Sequence, residues 1–380
     1  MTTKPIRVCL IATELKGFGP YGGFGVLTYD IATGLAKKGL DVFVAMPRKE
    51  GQAPVERIGN VNVISYPLPA CNELNVLYAG LKFVLPFAGV YRMIDADIYH
   101  SQEASLGTAL AQIASPDKKH FVSFIDPRNF HDWTIEWAHR NLNKFEILKY
   151  YIKYQWETGG AARRANGNYC HTKHIIDKAK QIFWLAEKPG FLPSPTRMLE
   201  ISAAKAAAPT VCYLGRWDER KRPELFFELA VKFPDVKFVA VGACLNDAVR
   251  DKALRQHYLR LKNVEAPGWL SEKESASILD RAWIIINTST REGLPVTYLE
   301  AGAHKCAILS HCNTDDFASN FGFWAQKGDL ADYEQGLKFL LNDNQWKALG
   351  EKAYNYVLNT HEYNRVIDQH IAIYERALAR

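Results

Sequence analysis

The sequence predicts two doubly wound α/β domains, and three observations carry that prediction. Short apolar runs alternate with helix-length amphipathic stretches, the pattern of parallel sheets covered by helices. The alternation stops near residue 190 and restarts after residue 210. The chain has 380 residues, 48% hydrophobic and 23% charged, which suits two ordinary domains and is too apolar for a disordered chain.

In the first half, Ile6–Thr13, Asp41–Met46, Val61–Tyr66, Asp97–His100 and Phe121–Ile125 read as strands, with helical patterns at Val26–Lys38 and Ala104–Ile113. Lys188–Thr196 (KPGFLPSPT) carries three prolines without a hydrophobic period and reads as a linker. Strands are then expected at Val211–Leu214, Lys237–Val241, near Val264, at Trp283–Asn287 and at Ala307–Ser310. Helices are expected at Pro223–Lys232, up to Leu254, at Glu272–Leu279 and at Val296–His304. Ala331–Leu341, Gln345–Leu358 and Val366–Leu378 continue as helical patterns. The predicted division is 1–190, 191–360, and a closing segment 361–380 that packs back on the first domain. Doubly wound sheets bind ligands beyond the C-terminal ends of their strands, so the two domains are expected to face a central cleft.

Composition excludes several classes. The seven cysteines (Cys9, Cys71, Cys170, Cys212, Cys244, Cys306, Cys312) are scattered without a C-x-x-C pair, against a disulfide framework or a structural zinc site. Cys306 and Cys312 are the one pair worth naming, and small buried thiols are the plainer reading. The N-terminus lacks a signal-peptide pattern, and no run of about eighteen apolar residues occurs. Leu77–Val90 comes nearest and is interrupted by Lys82 and Pro86. A cytoplasmic protein is expected.

The net charge is +6, and the span 128–188 holds eleven Lys/Arg against six Asp/Glu, with eleven aromatic residues that include Trp133, Trp137, Trp156 and Trp184. This span reads either as a surface for peripheral contact with an anionic membrane face or an anionic acceptor, or as ordinary amphipathic helices with solvated lysines. No nucleic-acid module accompanies the charge, so no nucleic-acid partner is expected.

Three loops carry candidate chemistry. Lys16–Gly25 places five glycines between the first strand and a helical pattern, where backbone amides can approach phosphate. It is not G-x-G-x-x-G in register, and no acidic residue ends the second strand, so a dinucleotide fingerprint is absent. Arg216 and Lys221 follow the strand Val211–Leu214; a bidentate guanidinium and a point charge together suit a diphosphate. In Arg291-Glu292-Gly293-Leu294-Pro295-Val296-Thr297-Tyr298-Leu299-Glu300, a polar strand end (Thr288-Ser289-Thr290) opens into a helix with Pro295 at its first position. The amides around Gly293, Leu294 and Val296 form an anion site with the helix dipole. Glu292 is free in the loop to accept from hydroxyls, and Glu300 stands inside the helix.

Glu292 and Glu300, seven residues apart in EGLPVTYLEAGA, resemble the E-x7-E motif of retaining GT-B glycosyltransferases of family 4. The resemblance extends along the chain through Gly22-Gly23, the strand Asp97–His100, Pro193-Ser194-Pro195 and Gly215-Arg216…Lys221. It implies a GT-B fold, a UDP- or GDP-linked sugar donor bound by the second domain, a glycan or lipid-linked acceptor bound by the first, and no cofactor or metal. By position it gives Arg216 and Lys221 the diphosphate, Glu300 the ribose, Glu292 the donor sugar, and Gly22-Gly23 closure on the donor. The chain departs from the family in three places. Asp126 stands where a histidine near the reacting sugar is usual, Gln102 where a second histidine is usual, and Lys305-Cys306-Ala307 where G-x-P is usual. Asp126 either contributes to catalysis or marks altered activity. The competing readings are a donor-binding protein without turnover and another enzyme on the same fold, such as a sugar-nucleotide epimerase. Asp95-Ala96-Asp97 is a D-x-D, but it precedes its strand rather than ending it, so it does not read as a metal site.

Overall fold

Apolar runs with side chains buried on both faces can only pair into sheets roofed by helices on each side. The computed structural model, which describes residues 4–19, 21–67, 88–136, 143–244 and 247–379, shows two such sheets. The chain divides into two compact units, Met1–Pro195 with Asn364–Arg380, and Thr196–Tyr363. Cys71, Trp137 and most of Leu77–Val90 lie outside the described residues.

In the first unit the strands are β1 (Arg7–Ile11), β2 (Asp41–Pro47), β3 (Val55–Ile58), β4 (Val61–Tyr66), β5 (Ile98–Ser101), β6 (Lys119–Phe124), β7 (Gly167–Cys170) and β8 (Gly190–Phe191). Their order is β3-β4-β2-β1-β5-β6-β7-β8. Every pairing is parallel except β3 with β4. The chain starts in the middle of the sheet, runs to one edge and returns to the other, so the direction reverses between β1 and β5. The closing helix Tyr363–Leu378 contributes Tyr374, whose hydroxyl lies 2.7 Å from His100 Nδ1 under β5. Lys38 and Asp368 pair at 2.7 Å on the surface.

The second unit holds β9 (Thr210–Leu214), β10 (Lys237–Val241), β11 (Val264–Gly268), β12 (Ile284–Asn287), β13 (Ala307–Ser310) and β14 (Gly322–Trp324), in the order β11-β10-β9-β12-β13-β14 with all pairings parallel. Alternate residues of each strand feed opposite cores. Val211, Tyr213, Ile284 and Ile286 pack with Trp217, Phe226 and Phe227. Cys212, Ile285 and Ile308 pack with Tyr298, Leu299 and Phe317. The direction reverses between β9 and β12, where ligands of doubly wound folds bind.

The structure corrects the sequence reading in places. β3, β7, β8 and β14 were not expected; they are four residues or fewer, and three of them (GNYC, GF and GFW) begin with glycine. Pairing with a neighbouring strand of the sheet holds them, not their own propensity. Three residues of the expected linker join the first sheet: Gly190 and Phe191 pair with Tyr169 and Cys170, and the Leu192 amide donates to Cys170 O at 2.9 Å. The first compact unit ends at Pro195, and the chain returns to it from Asn364. Pro295 is the N-cap, with Val296 the first helical residue. Cys306 and Cys312 agree with the plainer reading as separate buried thiols; Cys306 Sγ lies 3.3 Å from Leu279 O, and Cys312 Sγ lies 3.2 Å from Ser289 O. Among the described residues no helix is long and apolar enough to cross a membrane.

Candidate active site

At the switch point of the Thr196–Tyr363 unit, β9 and β12 run side by side, with Val211 opposite Ile284 and Cys212 opposite Ile285. Their loops therefore leave the sheet together. The loop after β9 continues the ladder briefly, as Gly215 N donates to Val241 O at 3.1 Å and Trp217 N to Ala243 O at 3.0 Å. Close approach requires glycine here: Gly242 has φ +130°, and a Cβ on it would meet Gly215 O at 1.8 Å. Arg216 emerges from this loop, its Nη2 3.2 Å from Asp218 Oδ2 in a well-exposed pair. Asp218 then caps the single turn Glu219–Lys221, accepting from Lys221 N.

That turn is laced to the strand end of β12. Thr290 N donates to Arg220 O at 3.0 Å, Thr288 Oγ1 to Lys221 O at 2.6 Å, and Arg222 Nε to Thr288 O at 2.7 Å. The polar residues after β12, read from sequence only as a polar strand end, thus carry the turn that presents Lys221. Lys221 Nζ pairs with Glu292 Oε1, side chains 18% and 11% exposed. Asn287 Nδ2 lies 3.4 Å from the same carboxylate oxygen, and Ser289 also bonds Glu292. Burial is the largest single influence on Glu292 and raises its pKa, but the Lys221 charge, the hydrogen bonds from Lys221 and Ser289 and the Arg220 charge together outweigh it and hold the carboxyl below its ordinary value. Glu292 is therefore not free in its loop, as the sequence suggested, but ionised and paired.

Beneath this pair the strand ends are tied together. The Tyr333 hydroxyl accepts from His311 N at 3.1 Å and donates to Asn287 O at 2.7 Å. Tyr298, on the helix Val296–Ala303, reaches Ser310 Oγ at 2.5 Å and Cys312 O at 2.8 Å. Leu294 packs against the apolar core, which anchors the loop carrying Gly293. Glu300 is half-buried on the same helix. At the other end of this helix, Cys306 N donates to Ala301 O and Lys305 N to Gly302 O, with Lys305 at φ +58°. This left-handed position favours glycine, so the departure at Lys305 has a conformational cost.

The first unit's candidates behave differently. Gly22 caps the helix Gly23–Lys37, but its amide and that of Gly25 donate to Glu14 Oε1 at 3.0 and 2.9 Å. A carboxylate of the chain itself thus occupies the amides that the sequence reading reserved for a donor. Asp126, after β6, accepts from Arg128 Nε at 3.1 Å, and Arg128 lies over the Trp133 ring. Gln102, which follows β5, is 2% exposed, and neither polar atom of its side chain has a hydrogen-bond partner. Next to it, Glu103 Oε2 lies 3.4 Å from the Ile125 amide while Oε1 is buried without a partner. Burial first, and the Asp126 charge second, push the Glu103 carboxyl up to about 8. Sequence reasoning missed Glu14 and Glu103. An acidic residue between the first strand and the glycine loop was a usable signal for Glu14; Glu103 had none. No cluster of three or more His, Cys, Asp or Glu side chains suited to a metal occurs among the described residues.

Two doubly wound units are the architecture of the GT-B fold, which the chain shares with solved glycosyltransferases. Residues 196–356 match the family model of glycosyl transferases group 1. The whole chain superposes on sucrose-phosphate synthase from Thermosynechococcus elongatus with TM-score 0.74 at 15% identity, covering 98% of this chain and 99% of that one. HepE of Anabaena, solved with UDP and glucose, gives 0.67 at 13% identity over 98% and 100% of the two chains. WaaG, a glycosyltransferase involved in lipopolysaccharide biosynthesis, gives 0.67 at 14% over 96% and 99%. No curated protein matches the sequence.

Proposed function

We propose that this protein is a retaining, metal-independent glycosyltransferase that moves a sugar from a UDP- or GDP-linked donor to a glycan or lipid-linked acceptor in polysaccharide biosynthesis. The observation that carries the reading is the Lys221–Glu292 pair, laced into the switch point of the unit whose sequence matches group 1 transferases. A diphosphate arriving beside Lys221 competes with Glu292 for the ammonium. Lys221 and Arg216 then meet the charge that develops on the diphosphate as the anomeric carbon–oxygen bond breaks, where electrostatic stabilisation acts most strongly. The Glu292 carboxylate, released from Lys221, accepts from hydroxyls of the donor sugar. Glu300, deeper on the helix, takes the ribose. The first unit would supply the acceptor, with Asp126 beside the reacting centre and Gly22-Gly23 against the donor. HepE holding UDP and glucose supports the donor class.

The test compares Glu292→Gln with Glu300→Gln by steady-state kinetics and by calorimetry with the bare nucleotide diphosphate, with and without chelator. Glu292→Gln is expected to lower kcat with little change in nucleotide affinity, because a contact with the reacting sugar strengthens in the transition state. Glu300→Gln is expected to raise KM and weaken nucleotide binding. Exchange of these effects would reverse the roles, and loss of turnover on chelation, restored by magnesium, would overturn metal independence. A second reading, a donor-binding protein without turnover, rests on Asp126 being neutralised by Arg128. Nucleotide binding without release of UDP or GDP from any candidate donor would select it.

A further inference from the structure

The helix Lys144–Tyr154 presents two unlike faces. Its inner face packs into the first unit: Ile147 is buried, Tyr151 meets Phe130, and Tyr154 meets Trp133 and Phe183. The helical backbone continues through the wider turn Gln155–Gly159. Along the outer face, Phe145, Leu148, Ile152 and Trp156 follow one another at spacings of three, four and four residues, and so stand in one row. All four are exposed, Phe145 by 77% and Trp156 by 76%. Single exposed apolar residues need no explanation, but a contiguous row rimmed by polar groups marks a surface that meets something apolar.

The rim says what that is. Lys144, Lys149 and Lys153 are exposed on the same helix, beside the row. Its acidic residue, Glu146, is folded back onto the helix start, accepting from Asn143 N at 2.9 Å. An apolar stripe with lysines along its edge and an indole at one end has the chemistry of a helix lying in a membrane interface over anionic headgroups. A second copy of the chain fits less well, because a self-complementary contact brings the two lysine rows together. We propose that this helix, with Trp156, docks the protein on an anionic lipid bilayer. The inference does not depend on the reading of the donor site, since the bilayer is met without donor or acceptor.

The experiment is co-sedimentation of the full chain with vesicles of phosphatidylcholine alone or mixed with phosphatidylglycerol. The chain is expected to bind the mixed vesicles, to bind pure phosphatidylcholine at least about tenfold more weakly, and to be released by salt. Ile152→Ser with Trp156→Ser is expected to lower the partition coefficient by about tenfold or more. Gln in place of Lys144, Lys149 and Lys153 is expected to lower it by about a hundredfold. Circular dichroism checks that both variants stay folded; should either unfold, Phe145→Ser alone replaces it. Wild-type binding that ignores lipid charge, or variants that bind like wild type, would overturn the proposal. So would a dimer in solution that Trp156→Ser converts to monomer, which would make the face a contact between copies.

Discussion

Glu292 and Glu103 stand in loops at the switch points of two sheets wound alike, Glu292 after β12 and Glu103 after β5. Glu292 is held ionised by Lys221, a cation that another loop delivers across the strand ends. Glu103, half-buried with its carboxyl withdrawn from solvent, stands beside the negative Asp126 and keeps its proton up to about pH 8. The first unit also satisfies its own anion site, with Glu14 on the helix amides, and neutralises Asp126 with Arg128. The same winding therefore yields an ionised carboxylate paired with a lysine in one unit and a protonated carboxyl beside an aspartate in the other. Winding decides where a ligand can sit; the side chains of a few loop residues decide its charge.

The largest expected effect comes from breaking the cationic side of this contrast. Lys221→Ala strands a largely buried carboxylate and removes one charge-assisted contact, worth roughly 1.5–3 kcal/mol, so donor kcat/KM should fall about a hundredfold. Arg216→Ala removes a well-exposed cation and should cost about tenfold. Equal losses, or a double variant with unaltered kcat/KM, would remove the ranking that the geometry implies.

The second effect is one of sign with pH. Glu103 has a folded pKa raised to about 8, so between its unfolded value and pH 8 the native state binds a proton that the unfolded state has lost. Stability contributed by Glu103 is present at low pH and falls as pH rises through that window, by at most about 1.4 kcal/mol per pH unit. Glu292, with a lowered folded pKa, contributes stability present above its unfolded pKa and lost as pH falls through its folded value. Denaturant titrations at several pH values should show the Glu103→Gln chain losing less stability than wild type between pH 5 and 8. A parallel dependence in both chains would mean that Glu103 ionises normally.

The smallest effect concerns Lys305, at φ +58° after the helix that carries Glu300. Lys305→Gly removes left-handed strain of about 1 kcal/mol but forfeits the partly exposed pair with Glu351. A net gain of roughly 0.5 kcal/mol is expected in thermal unfolding. A loss would show that the ion pair, not the backbone, governs that turn.

Much of the architecture was legible because its signals are local. Buried strands such as Val211–Leu214 and Ile284–Asn287 announce themselves as apolar runs, and Pro295-Val296 marks a helix start within a few residues. Arg216, Lys221 and Glu292 stand out as candidates because strand-end loops of a doubly wound sheet are the places to look, and Glu300 through its spacing from Glu292. By itself, the sequence determined the two α/β units, the strand-end loops and the charged residues set in them, since periodicity and turn chemistry act over one or two turns of chain. Only the tertiary structure decided the short strands β7, β8 and β14, the Glu14 cap on Gly22 and Gly25, and the pairing of Lys221 with Glu292 seventy-one residues away. A charge's partner and its desolvation depend on which loops the sheet brings together, and no local pattern of residues encodes that.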